Sequence, residues 1–176
     1  MNMIESFARV SVLCIGDVML DRFITGSVNR VSPESPVPVL SMNRMQIFPG
    51  GAANVARNIA ALGGHCTLVG VVGHDAVGQE LNTSISCVSG VTAELMTVQD
   101  RPTTEKVRYV AQDQHMLRVD QEDTSMLTTA HELQLLERIE ALLEGHQVMV
   151  LSDYAKGVLT PGVVLFSRIS CNSPVA

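Results

Sequence analysis

Apolar and polar positions divide the chain into short buried strands separated by amphipathic helices. Val10–Ile15, apolar at every position but Ser11, has the pattern of a strand covered on both faces in a parallel sheet. Phe23–Val31 and Val37–Gln46 alternate only in part and are divided by Pro33, Pro36 and Pro38. Proline within such segments excludes a central strand and suits a sheet edge or an excursion from the sheet. Gly50–Gly73 then reads as a glycine pair, a helix, a double-glycine stop and an apolar strand. Val55, Ile59 and Leu62, with Ala52, Ala56 and Ala60 between them, predict one close-packing helical face. Gly63 and Gly64 stand where a helix C-terminus needs a residue free to adopt positive φ.

Downstream, Asp75 is placed to cap a helix running to about Ser86. Ala93–Val98, Thr104–Val110 and His115–Asp120 read as strands, with turns at Arg101-Pro102 and Gln112–Gln114. In the last two, Lys106 and Arg108 alternate with Val107 and Tyr109, as Met116 and Arg118 do with Leu117 and Val119, predicting a hairpin with one covered and one wet face. Thr129-Ala130-His131-Glu132 has capping-box spacing and opens a helix to about Gly145, its buried stripe being Leu133, Leu136, Ile139, Leu142 and Leu143. Val148–Leu151 is a further buried strand, and beyond Gly162 no periodicity is left to predict an element.

The alternation of strands and helices predicts an α/β fold with a parallel sheet, and 176 residues suffice for one domain with a sizeable core. Net charge of −6 leaves no basic surplus for nucleic acid, and the absence of tryptophan removes a stacking platform for bases. No apolar run reaches the ~20 residues of a membrane span. The first residues lack a signal-peptide core, so a cytoplasmic location is expected and Asn82-Thr83-Ser84 is an empty sequon. Cys14, Cys66, Cys87 and Cys171 are dispersed and read as small buried residues of a reducing compartment rather than as zinc or disulfide partners.

Two strands end in an aspartate motif: Gly16-Asp17 after the first, Ser152-Asp153 after the last. Carboxyl ends of parallel strands are where open α/β sheets bind ligands. Gly50 and Gly51 bring bare backbone N–H groups to a helix N-terminus, with Asn54 in its first turn, a site for an oxygen-rich ligand. Lys106, Arg108 and Arg118 are candidates for an anionic group, against the alternative of a solvated sheet face; Lys156 could reach a phosphate or pair with Asp153. His74 reads as a surface turn residue, and His131 and His146 lack metal-ligand spacing.

Taken together, four segments resemble the PfkB, or ribokinase-like, family of carbohydrate kinases. They are Gly16–Arg22 (GDVMLDR), Ser32–Val39 (SPESPVPV), the Gly50-Gly51-Ala52-Ala53-Asn54 spacing continued to Gly63 and Gly73, and Leu151–Gly157 (LSDYAKG). Within it they look like the heptose-7-phosphate kinase domain of bifunctional heptose kinase/adenylyltransferases of lipopolysaccharide synthesis, over residues 8–162. The resemblance implies a central mostly parallel sheet flanked by helices, with a small β lid over about 22–48 and 104–120 that pairs between subunits into a homodimer. It implies phosphoryl transfer from ATP, with Mg, to O1 of D-glycero-D-manno-heptose 7-phosphate. On the sugar side it points to Asp17, Asp21, Gly50, Gly51, Asn54 and Asp153, with Lys106 and Lys156 toward phosphate.

The family's Gly-Ala-Gly-Asp motif, which carries the catalytic Asp and the anion hole for ATP phosphates, is not in the sequence, and neither are its adenine loops or a Walker-type loop. No catalytic, cofactor-binding or metal-binding residue is therefore assigned. The chain is expected to be the N-terminal, sugar-binding part of a truncated kinase domain (1–162) with an atypical tail (163–176), inactive alone and prone to associate through an uncovered apolar edge. The alternative is a non-enzymatic module that binds a sugar phosphate or dimerises through the lid. A dinucleotide-binding oxidoreductase is disfavoured because Gly50-Gly51 lacks G-x-G-x-x-G spacing.

Overall fold

In the computed structural model, which describes residue 7 and residues 10–172, two sheets meet at a single residue. In the first, β5 (Val91–Val98), β4 (His65–Gly73), β1 (Ser11–Gly16) and β8 (Val148–Ser152) lie side by side in that order, all parallel. The second contains β3 (Pro38–Gly51), β2 (Val18–Val31), β6 (Glu105–Ala111) and β7 (Gln114–Gln121), also in that order. Here β2 runs antiparallel to β3 and parallel to β6, and β6 and β7 form the expected antiparallel hairpin. Only Asp17 separates β1 from β2.

Four helices are described: α1 (Ala52–Ala61), α2 (Ala76–Ser86), α3 (Thr129–Leu143) and α4 (Pro161–Asn172). Side chains alternate across β1, so its two faces seed two cores. Leu13 and Ile15 pack with Val69 and Val71 against Leu135 and Ile139 of α3 and Val163 of α4. Cys14 packs with Cys66, Leu68 and Val72 against Ala52, Ala53 and Ala56 of α1 and Leu81 and Ile85 of α2. Helices thus cover both faces of the parallel sheet, as near-continuous apolar strands require. The hydrogen bond to Cys66 and burial both push the Cys14 thiol above its ordinary value, so it stays a neutral core residue.

Several local expectations are corrected. The face that α1 buries is its alanine face, with Val55 and Ile59 only partly covered and Leu62 52% exposed; small side chains let the helix approach the sheet closely. Its end is a Schellman motif: Gly63 N–H donates to Ala60 O and Gly64 N–H to Ile59 O, with Gly63 at φ 91°. The cap of α3 is Thr128, which accepts from the His131 N–H, and its stripe is centred on Leu135 and Ile139 while Leu133 lies exposed. The run Leu133, Leu135, Leu136 covers more than one helical face, so spacing alone left the stripe rotated.

A helix, α4, also stands where none was expected, running through the 162/163 boundary. Its inward positions include Ser167, whose hydroxyl bonds the Val163 carbonyl, so the buried face is too polar to register as periodic. Thr160 caps it through the Val163 N–H.

The small second sheet is the expected lid, but its strands are longer, spanning 18–51 and 105–121, and they enter the site itself. Pro38 opens edge strand β3, the position where a missing N–H is harmless. Every residue of β7 is exposed, so the hairpin has no covered face at its outer strand. Arg22 anchors the lid base, pairing with Glu105 of β6 at 2.7 Å and Glu80 of α2 at 2.6 Å. At the far edge of the parallel sheet, Val148 and Leu151 of β8, expected to be buried, are exposed, as is Leu165 of α4.

Asp75 closes the turn from β4 to α2, accepting the N–H of Gly78 and both the N–H and hydroxyl of Thr103. Burial raises its carboxyl, but the Thr103 and Gly78 bonds and the nearby His74 outweigh burial and hold it below the ordinary value. A depressed carboxyl contributes stability above its unfolded pKa of about 3.9, and that contribution is lost as pH falls through the lower folded value. Asp75→Ala is expected to cost about 1–2 kcal/mol at neutral pH. In urea titrations the gap to the unsubstituted chain should close below about pH 4.

Candidate functional site

At the carboxyl end of β1 the backbone of Asp17 knits three segments together. Its N–H donates to Ser152 O at the end of β8, and its carbonyl accepts the Ala52 N–H at the start of α1. Its carboxylate, 1% exposed, turns toward the loop after β8. One oxygen accepts the N–H groups of Tyr154 (2.8 Å) and Lys156 (3.1 Å), and the other accepts that of Val158 (3.1 Å).

Beside this joint lies a cleft of about 400 Å³ between the base of the lid and α1. From β2 it receives Met19, Asp21 and Phe23, which share a strand face at two-residue spacing. From β3 come Phe48, Pro49, Gly50 and Gly51; from α1, Asn54 and Arg57, three residues apart and so on one face. Lys106 and Arg108 enter from β6 by the same two-residue rule, and Tyr154 closes the side nearest Asp17.

The two glycines permit close approach. A Cβ on Gly50 would lie 2.2 Å from an Asp21 carboxylate oxygen. Gly51 sits at φ 60°, and its Cβ would lie 2.2 Å from the Asp17 carbonyl. Gly50 and Gly51 stand opposite Met19 and Val18 in the β2–β3 register, where only one of two adjacent residues can donate to the neighbouring strand, and the Ala52 N–H is taken by the Asp17 carbonyl. Their contribution is a wall without side chains.

Charge in the cleft is unbalanced. Asp21 is ion-paired with Arg108, each about one-fifth exposed, and the guanidinium lies 5.1 Å from the centroid of the Phe23 ring. Phe23 meets Phe48 edge-on at 5.8 Å. Lys106 and Arg57 add two cations, and among the described residues neither has an acidic partner. The cleft thus combines one carboxylate able to accept hydrogen bonds from hydroxyls, a bare backbone wall, an amide able to donate or accept, and three cations able to donate to an anionic group.

Asp21, Gly50, Gly51, Asn54 and Lys106 are therefore brought together as expected from the sequence. Three others are not. Asp17 faces the loop instead of the cleft. Asp153 is exposed and accepts the N–H of its own Ala155. Lys156 turns away to Glu122 at 2.8 Å. Arg118 pairs with Asp120 on exposed β7, outside the cleft. Sequence reasoning missed Arg57, Phe23, Phe48 and Tyr154. Helical spacing from Asn54 would have found Arg57, and strand spacing from Asp21 would have found Phe23. Phe48 faces Asp21 only through the β2–β3 register, and nothing in the spacing marks Tyr154. A second cleft of about 250 Å³ lies at the start of α2, but both oxygens of its Asp75 are already engaged.

Residues 10–161 match the family model described as pfkB family carbohydrate kinase. The chain belongs to this family. Among relatives of the pfkB chain, the bifunctional protein HldE of Caulobacter vibrioides is 52% identical over 160 residues, covering 91% of this chain and 32% of that protein. The pfkB chain thus spans about a third of the length of the curated relatives it matches. Its fold is that of a carbohydrate kinase from Agrobacterium tumefaciens (TM-score 0.71, 21% identity, 92% of this chain and 51% of that one). It is also that of phosphofructokinase-2 from Escherichia coli in complex with fructose-6-phosphate (TM-score 0.65, 22% identity, 92% and 51%).

If the glycine wall holds Asp21 against Arg108, Gly50→Ala must displace that pair. The expected cost is about 1–3 kcal/mol in chemical denaturation, the range for overpacking a filled site. Ala61→Gly, a control at an exposed position of α1 outside the cleft, should cost no more than about 1 kcal/mol.

Proposed function

We propose that this chain forms the sugar-binding part of a cytoplasmic heptose-7-phosphate kinase, for phosphorylation at O1 in lipopolysaccharide precursor synthesis. The observation that carries the reading is the single cleft that unites Asp21, Gly50, Gly51 and Asn54 with Arg57, Lys106 and Arg108. Membership of the pfkB family and the likeness to HldE proteins support a heptose phosphate over other sugars. Asp21 accepts sugar hydroxyls and is held in place by Arg108; Asn54 offers its amide; Arg57 and Lys106 neutralise the phosphate.

The family reaction draws on ATP and Mg. Among the described residues no three His, Cys, Asp or Glu side chains come together to hold a metal ion, so none is assigned to Mg and no step is routed through it. The chain's own contribution is to bind and orient the acceptor, and no base for O1 is assigned within it. Titration calorimetry should accordingly give saturable binding of D-glycero-D-manno-heptose 7-phosphate, weaker by about tenfold or more for the unphosphorylated heptose. ADP release in a coupled assay should stay at background. Turnover comparable to a full-length kinase would refute the binding-only role.

A second reading, lid-mediated pairing of two copies, is favoured by one observation. Val28, Val37, Leu40, Tyr109, Met116 and Leu117 line an apolar cleft of about 390 Å³ on the lid, where Val37 and Leu117 are 50% and 58% exposed. Apolar surface of this kind beside two open strand edges is a template for pairing. Sedimentation should show a concentration-dependent dimer that Leu117→Lys shifts to monomer; a dimer indifferent to that change would place the contact elsewhere, for instance at β8.

A further inference from the structure

We infer that Asp17 is a positioning residue that acts through Tyr154: it fixes the loop after β8 so that the tyrosine forms a wall of the sugar cleft. The inference rests on the sugar-site reading above and adds a residue to it. A carboxylate 1% exposed, with both oxygens engaged by backbone N–H groups of residues 154, 156 and 158, has no face left for a ligand. What it holds is unusual backbone. Ala155 lies at φ 55°, a left-handed conformation that alanine adopts only when its surroundings impose it, and the N–H groups on either side of it both point to the same Asp17 oxygen.

The far end of the loop is fastened from outside. Arg101 donates to the carbonyls of Lys156, Asp123 and Ser125, and Lys156 pairs with Glu122. Gly157, at φ 81°, passes so close to Ser125 that a Cβ would lie 2.0 Å from its carbonyl oxygen. Of the loop's side chains only Tyr154 lines the cleft, and it is 47% exposed, leaving the ring free to be covered by a ligand. Aromatic rings of this kind offer an apolar body and a hydroxyl handle together.

The chain has two tyrosines and no tryptophan, so in a Tyr109→Phe background tyrosine emission reports Tyr154 alone. Adding D-glycero-D-manno-heptose 7-phosphate should change that emission saturably. Asp17→Asn should weaken binding about tenfold and release the amides of residues 154, 156 and 158 to hydrogen exchange. Tyr154→Ala should weaken binding similarly with those amides still protected, and the double variant should lose no more than Asp17→Asn alone. Gly157→Ala, which loosens the loop with Asp17 intact, should reproduce the loss and keeps the test open if Asp17→Asn does not fold. Additive losses, or weakened binding with all three amides protected, would make Asp17 a direct sugar ligand and overturn the inference. If the unsubstituted chain binds no heptose phosphate while Asp17→Asn frees the loop and shifts Tyr154 emission, the Asp17–Tyr154 link stands and the ligand reading falls.

Discussion

The structure depends on one buried carboxylate at the joint between two sheets. Asp17 is the single residue between the first strand of the parallel sheet and the first strand of the lid. Its backbone ties it to β8 and to α1, and its side chain takes three N–H groups from the loop that follows β8. A buried carboxylate is tolerable only when its lone pairs are filled by donors, and hydrogen bonds to an ionised group are the strong ones. Everything that faces the cleft is referred to this point: Asp21 four residues on, Gly51 against its carbonyl, and Tyr154 on the loop it holds.

From that joint the cleft's chemistry follows by register. Two-residue spacing on β2 and β6 and three-residue spacing on α1 bring Asp21, Lys106, Arg108, Asn54 and Arg57 to one surface. The surplus of cations over carboxylates favours an anionic ligand, while the Asp21–Arg108 pair gives a fixed acceptor for hydroxyls. Lid strands supply three of these groups, Asp21, Lys106 and Arg108, so the site is built in part on the lid. Arg22 ties the base of the lid to α2, which packs on the parallel sheet, through Glu80.

Much of the fold was legible in the sequence for a simple reason. Strands buried on both faces announce themselves as apolar runs, as Val10–Ile15 does, and Gly63-Gly64 and Asp75 mark helix ends by conformational and hydrogen-bonding need. Val148–Leu151, equally apolar, was expected to be buried but forms an edge strand with Val148 and Leu151 exposed. The terminal helix was not legible because Ser167 faces inward and satisfies its hydroxyl locally. Of the proposed site residues, Asp21, Gly50, Gly51, Asn54 and Lys106 line one cleft, whereas Asp17, Asp153 and Lys156 lie outside it. A strand-end aspartate can face a ligand or its own neighbouring loop, and sequence does not distinguish these. Tyr154 enters the cleft only because a long-range contact, 137 residues apart in sequence, sets its loop.

The most direct measurement is a crystal structure of the chain with D-glycero-D-manno-heptose 7-phosphate. Sugar hydroxyls should lie within hydrogen-bond distance of Asp21 and Asn54, with the phosphate between Arg57 and Lys106 and the Asp17 carboxylate still on its three loop amides. A heptose bound away from this cleft, or one whose hydroxyls have displaced those amides from Asp17, would contradict the account.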